Sequence, residues 1–163
     1  MYDIISDKSF EKRRTMNIWS LIGFNNEIAT DILERYNRDT EGFFSEYFCH
    51  RDEELYSSIW DKTYEELKHV RLNFFCKIRP EVRSFKSDYM SKRNLLHDTV
   101  VDYNNQFVAQ EKLRYKAFFS SISGRALDEQ QKDAVVTDED HNLVIAGAGS
   151  GKTLTISAKV KYL

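Results

Sequence analysis

Hydrophobic positions along the chain fall into two textures. Up to about Ser123 they recur at helical spacing, and breakers are nearly absent. Ile28, Ile32 and Tyr36 lie four apart, as do Phe43 with Tyr47 and Phe44 with Phe48. Leu55, Ile59, Trp60, Leu67, Val70 and Phe74 continue a stripe at spacings of three, four and seven. Such spacing gathers apolar side chains on one helix face. Pro80 interrupts, because it lacks an N–H and disfavours helix at Arg79. Phe85, Tyr89, Leu96, Val100, Tyr103 and Phe107 then resume the stripe towards Phe119. The pattern predicts two long helices meeting near Pro80, preceded by one or two shorter ones. Long helices joined by a short turn pack antiparallel, and an aromatic stripe at this spacing reads as core rather than as a binding site.

The texture changes at Ser123-Gly124-Arg125. Leu127–Val136 reads as a short helix and Thr137–Asn142 as a polar turn. Leu143–Ala146 is a short apolar run of the kind found in buried parallel strands. Gly147-Ala148-Gly149-Ser150-Gly151 breaks it, and Lys152–Leu163 reads as a helix. The expected fold is therefore mostly α: an antiparallel helical hairpin or bundle, then one strand, a phosphate loop and a helix. Two domains are expected, residues 1–123 and 124–163.

Composition removes several classes of protein. The chain has 163 residues, 41% hydrophobic and 31% charged, with one proline and six glycines, so it is neither disordered nor collagen-like. No apolar run approaches the roughly 20 residues needed to cross a bilayer. The first residues lack the basic region and apolar stretch of a signal peptide. Cys49 and Cys76 form neither a disulfide framework nor a metal spacing, and read as ordinary thiols in a reducing, cytoplasmic setting. His50, His69, His97 and His141 lack the pairing of a metal site. Net charge is −2, which gives no overall argument for nucleic acid. Locally, Asp39–Glu66 is acidic, while Lys77–Arg93 carries six bases against Glu81 and Asp88. The basic block is either a phosphate-binding face or, the favoured reading, a partner of the acidic block across a hairpin or a solvated surface.

The segment Ala146-Gly147-Ala148-Gly149-Ser150-Gly151-Lys152-Thr153 carries the most chemistry. Gly149 and Gly151 let the backbone curl with successive N–H groups inward, forming an anion nest. The helix behind it offers free N–H groups and a positive dipole end to the same anion. In such a loop Lys152 reaches the β- and γ-phosphates, and the Thr153 hydroxyl joins the Mg²⁺ shell. Ala146 stands where the usual pattern has glycine.

These eight residues resemble the first motif of superfamily-one DNA helicases of the UvrD/Rep type. That family has a glutamine ahead of the loop in a Leu-x-x-x-Gln-x-x-Ala-Val setting, matched here by Leu127, Gln131, Ala134 and Val135. The resemblance gives Gln131 the adenine contact, since an amide can donate to and accept from adenine together. Residues Asn105–Phe119 further resemble the helical segment leading into the motor of helicase IV-like proteins. The resemblance implies an ATP- and Mg²⁺-dependent motor moving 3′ to 5′ on single-stranded or partly duplex DNA, with residues 124–163 opening its first RecA-like domain. The family's Asp-Glu motif lies downstream of the loop, whereas Asp138-Glu139 precedes it. This chain alone is accordingly expected neither to hydrolyse ATP nor to unwind DNA. An unpaired Leu143–Ala146 strand would favour association with a second copy. The competing reading is a stand-alone helical module that binds protein or DNA and retains a non-functional loop.

Overall fold

A computed structural model describes residues 18–70 and 79–163. Phe74, Cys76 and Lys77 lie outside them. The helices are α1 (Ile18–Thr40), α2 (His50–His69), α3 (Pro80–Lys92), α4 (Leu96–Arg114), α5 (Lys116–Ser120), α6 (Glu129–Val136) and α7 (Lys152–Tyr162). A 3-10 turn, Arg93–Leu95, joins α3 to α4. Pro80 opens α3, a position where its missing N–H costs nothing and its fixed φ suits the helix. The long helix expected after it is instead broken twice, at Arg93–Leu95 and at Tyr115.

The chain divides into two compact units. The first holds the residues before Thr40 together with Ile59–Ser91. Within it, the later part of α2 lies against α3: the Tyr64 and Tyr89 rings stack at 3.8 Å, and Tyr89 donates to Asp61 at 3.2 Å. Lys86 Nζ donates to the Leu67 carbonyl at 3.1 Å. Partner numbers rise along α2 as they fall along α3, which is the antiparallel arrangement the periodicity predicts. Tyr36 of α1 meets Phe85 edge-on at 4.9 Å, and Arg35 pairs with Glu66.

The second unit joins Thr40–Ser58 to Lys92–Leu163. Phe43, Phe44, Phe48, Tyr56 and Tyr103 form an aromatic cluster with ring centroids 4.8–6.0 Å apart. Phe43, Phe44, Tyr47 and Phe48, whose spacing predicts a helix, instead lie in the non-helical segment between α1 and α2, where Phe48 is buried and Phe44 is 42% exposed. Asn104 clamps the backbone of Phe48, accepting from its N–H and donating to its C=O, both at 2.9 Å. His97 pairs with Glu53 at 3.1 Å and Arg93 bonds Ser57, so α2 and α4 also run antiparallel here. Within the basic block, Lys86 donates to the Leu67 carbonyl and Arg93 to the Ser57 hydroxyl.

A second core in this unit gathers Phe119, Ile122, Leu127, Val135, Val136 and Ala158, with Leu154 and Tyr162 packed on it. It holds α6 and α7 together, and full burial of Phe119 alone contributes about 1.5–3 kcal/mol. The expected strand at Leu143–Ala146 is corrected: the segment has no regular structure, and Leu143 and Ile145 are 85% and 89% exposed. Its apolar residues favour a strand only when a neighbouring strand pairs the backbone and covers the side chains. Among the described residues there is no strand, only one antiparallel bridge between Ile122 and Arg125. No RecA-like sheet is seen among the described residues. No described helix is long and apolar enough to cross a membrane.

Candidate phosphate-binding site

The site lies where α6, the glycine loop and α7 meet. Asp128 caps α6, its carboxylate accepting from Gln131 N–H at 2.8 Å while Gln131 Oε1 accepts from Asp128 N–H at 3.0 Å. This reciprocal capping box satisfies two donors that a helix start otherwise leaves free. The second arm of the same amide reaches the loop: Gln131 Nε2 donates to the Ser150 carbonyl at 3.0 Å. Gln131, expected as the adenine contact, thus fastens the loop to α6 and uses both ends of its amide doing so.

Gly149 and Gly151 adopt φ of 78° and 82°, a left-handed conformation that costs other residues about 1–2 kcal/mol. Gly151 is also the N-cap of α7 and contributes no capping side chain, so the first N–H groups of α7 remain available. The Ser150 hydroxyl donates to the Gly147 carbonyl at 2.8 Å, closing the turn. Lys152 folds back over the loop, its Nζ donating to the carbonyls of Ala146 at 3.0 Å and Gly147 at 2.7 Å. Ala148 and Thr153 are exposed, and the Thr153 hydroxyl makes no hydrogen bond among the described residues.

An open pocket of about 620 Å³ adjoins the loop, lined by Gly149–Leu154, Ser157, Ser123 and Arg125. Its wall holds two cations and four hydroxyls and no carboxylate. A phosphate group suits that chemistry, and the loop N–H groups add to it. Gln131 does not line the pocket but borders it at Gly151, where an added Cβ would stand 2.6 Å from Nε2. No group of His, Cys, Asp and Glu able to hold a metal occurs among the described residues.

The acidic turn between α6 and the loop, read from the sequence as a polar turn, is fixed in place. Lys159 of α7 bonds the Thr137 carbonyl at 2.9 Å and Asp138 at 3.0 Å. Glu139 accepts from the His50 N–H at 3.1 Å and from the Tyr47 hydroxyl at 3.0 Å. Asp140 accepts from the Arg51 N–H at 2.9 Å. Two carboxylates from 90 residues along the chain therefore cap α2, favoured by its dipole. Burial and the Glu139 carboxylate raise the Tyr47 phenol to about 12. The Arg51 N–H, with its guanidinium, holds the Asp140 carboxyl below its usual range. Cys49, buried, donates its thiol to Asp52 at 3.1 Å. Burial first, then that carboxylate, push its pKa up, which makes it a poor nucleophile, as an ordinary thiol should be. At the far end of α7, Tyr162 donates to the buried Glu111 at 2.6 Å. No sequence signal marked these long-range pairs, since their members are common surface residue types.

Residues 127–163 match the family model for the UvrD/REP helicase N-terminal domain. No curated protein and no solved structure matches the chain. The matched span begins at Leu127 of the second core and includes Gln131, the acidic turn, the glycine loop and α7. The helices before Leu127 fall outside the matched span.

Proposed function

We propose that the chain is the N-terminal part of an ATP-dependent 3′–5′ DNA helicase or translocase, similar to helicase IV-like proteins. Residues 1–123 serve as a helical accessory domain, and residues 124–163 begin the first RecA-like ATPase domain. The observation that carries the reading is the coincidence of the family match with the glycine loop, whose Gly149 and Gly151 take positive φ.

ATP with Mg²⁺ supplies the phosphoryl group whose transfer drives such a motor. The residues here fit it. The loop N–H groups from Gly147 to Gly151, the helix start and Lys152 bind the phosphates, with Lys152 exchanging the carbonyls of Ala146 and Gly147 for phosphate oxygens. Ala148 and Ser150 shape the loop between its glycines. The free Thr153 hydroxyl serves the metal, and Gln131 reads adenine by giving up one of its two backbone partners. Asp138 and Glu139 cannot orient an attacking water, because Lys159 and the start of α2 engage them. This chain alone is therefore a nucleotide binder without hydrolysis or unwinding, and DNA is the partner of the whole motor.

The test is Mg²⁺-dependent binding of a fluorescent ATP analogue to the wild type and to Lys152→Ala, with single-stranded DNA binding measured on the same samples. Binding that falls at least tenfold in the variant supports the reading, and a wild type that binds no nucleotide defeats it. One observation favours the second reading, a helical interaction module with an idle loop: Lys152 is already satisfied by two carbonyls. DNA or protein binding without nucleotide binding would establish it. The exposed Leu143-Val144-Ile145 run offers a surface for a second copy, and a mass independent of concentration in light scattering would dismiss that pairing.

A further inference from the structure

Resting on the nucleotide reading of the loop, we propose that Arg125 is a second nucleotide-binding residue, which contacts the base and sugar half rather than the phosphates. Arg125 lies outside the motif residues, and the turn that carries it is unusually well fixed. Ile122 and Arg125 exchange both backbone hydrogen bonds, at 2.8 and 3.0 Å, around Ser123 and Gly124 with φ of 51° and 79°. A non-glycine residue at positive φ is uncommon and persists where the surroundings enforce it. Buried Ile122 and Leu127 anchor the two sides, and Leu127 N–H donates to the Phe119 carbonyl at 3.0 Å.

This turn sets Arg125 and Ser123 in the wall of the pocket beside the glycine loop. The Arg125 guanidinium is exposed and makes no hydrogen bond or ion pair among the described residues, and no carboxylate lines the pocket to neutralise it. The loop and the start of α7, Gly149–Thr153, account for the phosphates. Leu154 and Ser157 lie further along α7. Leu154 packs on the cluster that contains Ile122 and Leu127, the residues flanking the Arg125 turn. Arg125, Ser123, Leu154 and Ser157 thus line the same pocket as the loop. A planar guanidinium and a half-buried leucine lining one pocket suit a flat heteroaromatic ring, and the Ser123 and Ser157 hydroxyls suit its polar edge or the sugar.

The test compares ATP with inorganic tripolyphosphate by titration calorimetry on the full chain, for wild type, Arg125→Ala, Arg125→Lys and Lys152→Ala, with melting by circular dichroism as the folding control. Arg125→Ala is expected to weaken ATP about five- to tenfold while leaving tripolyphosphate within about twofold. Arg125→Lys, which keeps the charge but not the plane, is expected not to restore it, and Lys152→Ala weakens both ligands. Equal losses for ATP and tripolyphosphate in Arg125→Ala would overturn the proposal by placing Arg125 on the phosphates. Unchanged ATP binding would overturn it outright. A wild type that binds neither ligand would instead sink the nucleotide reading, and the proposal with it.

Discussion

Gly149 and Gly151 have nearly the same backbone conformation but different surroundings, which allows two contributions to be separated. An alanine at either position must adopt positive φ, at a cost of about 1–2 kcal/mol. At Gly149 the new Cβ meets nothing within 4 Å. At Gly151 it would stand 2.6 Å from Gln131 Nε2, so the amide must leave the Ser150 carbonyl. Losing that bond adds about 1 kcal/mol. Gly151→Ala is therefore expected to destabilise the α6–loop–α7 region by about 2–3 kcal/mol, and Gly149→Ala by about 1–2 kcal/mol. In a Gln131→Ala background the extra cost at Gly151 should vanish, because the atom it displaces is gone. Native-state hydrogen exchange of the α7 amides measures these local opening energies directly. Equal costs for the two glycines in the wild-type background, or a difference that persists without Gln131, would refute the account of how Gln131 holds the loop.

Other consequences are simpler to measure. Glu139→Ala removes the acceptor of the His50 N–H and the Tyr47 hydroxyl, and should lower stability by about 1–2 kcal/mol, read from the urea midpoint of the far-ultraviolet signal. Asn104→Ala strands the N–H and C=O of Phe48 in the aromatic cluster and should cost about 1–3 kcal/mol in the same assay, whereas Asn105→Ala, on an exposed site, should cost almost nothing. The Tyr47 phenol rises on folding from 10.0 to about 12, so the stability it contributes is complete below pH 10 and lost as pH rises through about 12. Urea titrations across that window should show a loss that Tyr47→Phe reduces. The Glu129 carboxyl, bonded by Lys132 and Lys112, falls from 4.5 to about 2. Its contribution is present above pH 4.5 and disappears as pH falls through about 2, so Glu129→Gln should flatten the acid limb slightly, by an amount that salt diminishes.

The sequence is legible where chemistry is local. The spacing from Leu55 to Phe107 predicts helices because each residue's face follows from its position in the helix, whereas the same spacing from Phe43 to Phe48 falls in a non-helical turn. The glycine loop is legible for the same reason: Gly149 and Gly151 take a conformation that other residues avoid. Gln131 shows the boundary of such reading. A family pattern points it at adenine, yet its geometry also obeys a plain helix-capping rule, since Asp128 with a glutamine three residues later is a capping box. The strand assigned to Leu143–Ala146 failed because strand propensity is a statement about fitting a sheet, and the four residues carry no information on whether a partner is beside them. The pairs that join the acidic turn to the start of α2 were illegible because charge and spacing do not say which carboxylate meets which helix end.

These long-range caps bear on how the loop keeps its shape without a sheet behind it. A phosphate loop ordinarily hangs between a paired strand and a helix. Among the described residues no strand pairs with Leu143–Ala146, and the loop is held from the helix side. Gln131 ties Ser150 to α6, and Val135, Val136 and Ala158 pack α6 onto α7. Lys159 and the Glu139–Asp140 caps fix the turn that delivers the chain to Leu143. Each of these contacts lies in the second unit, and each uses residues at or before the loop or on α7. The left-handed glycines can therefore persist on local restraints, and a sheet paired later along Leu143–Ala146 would add to the site without having to create it.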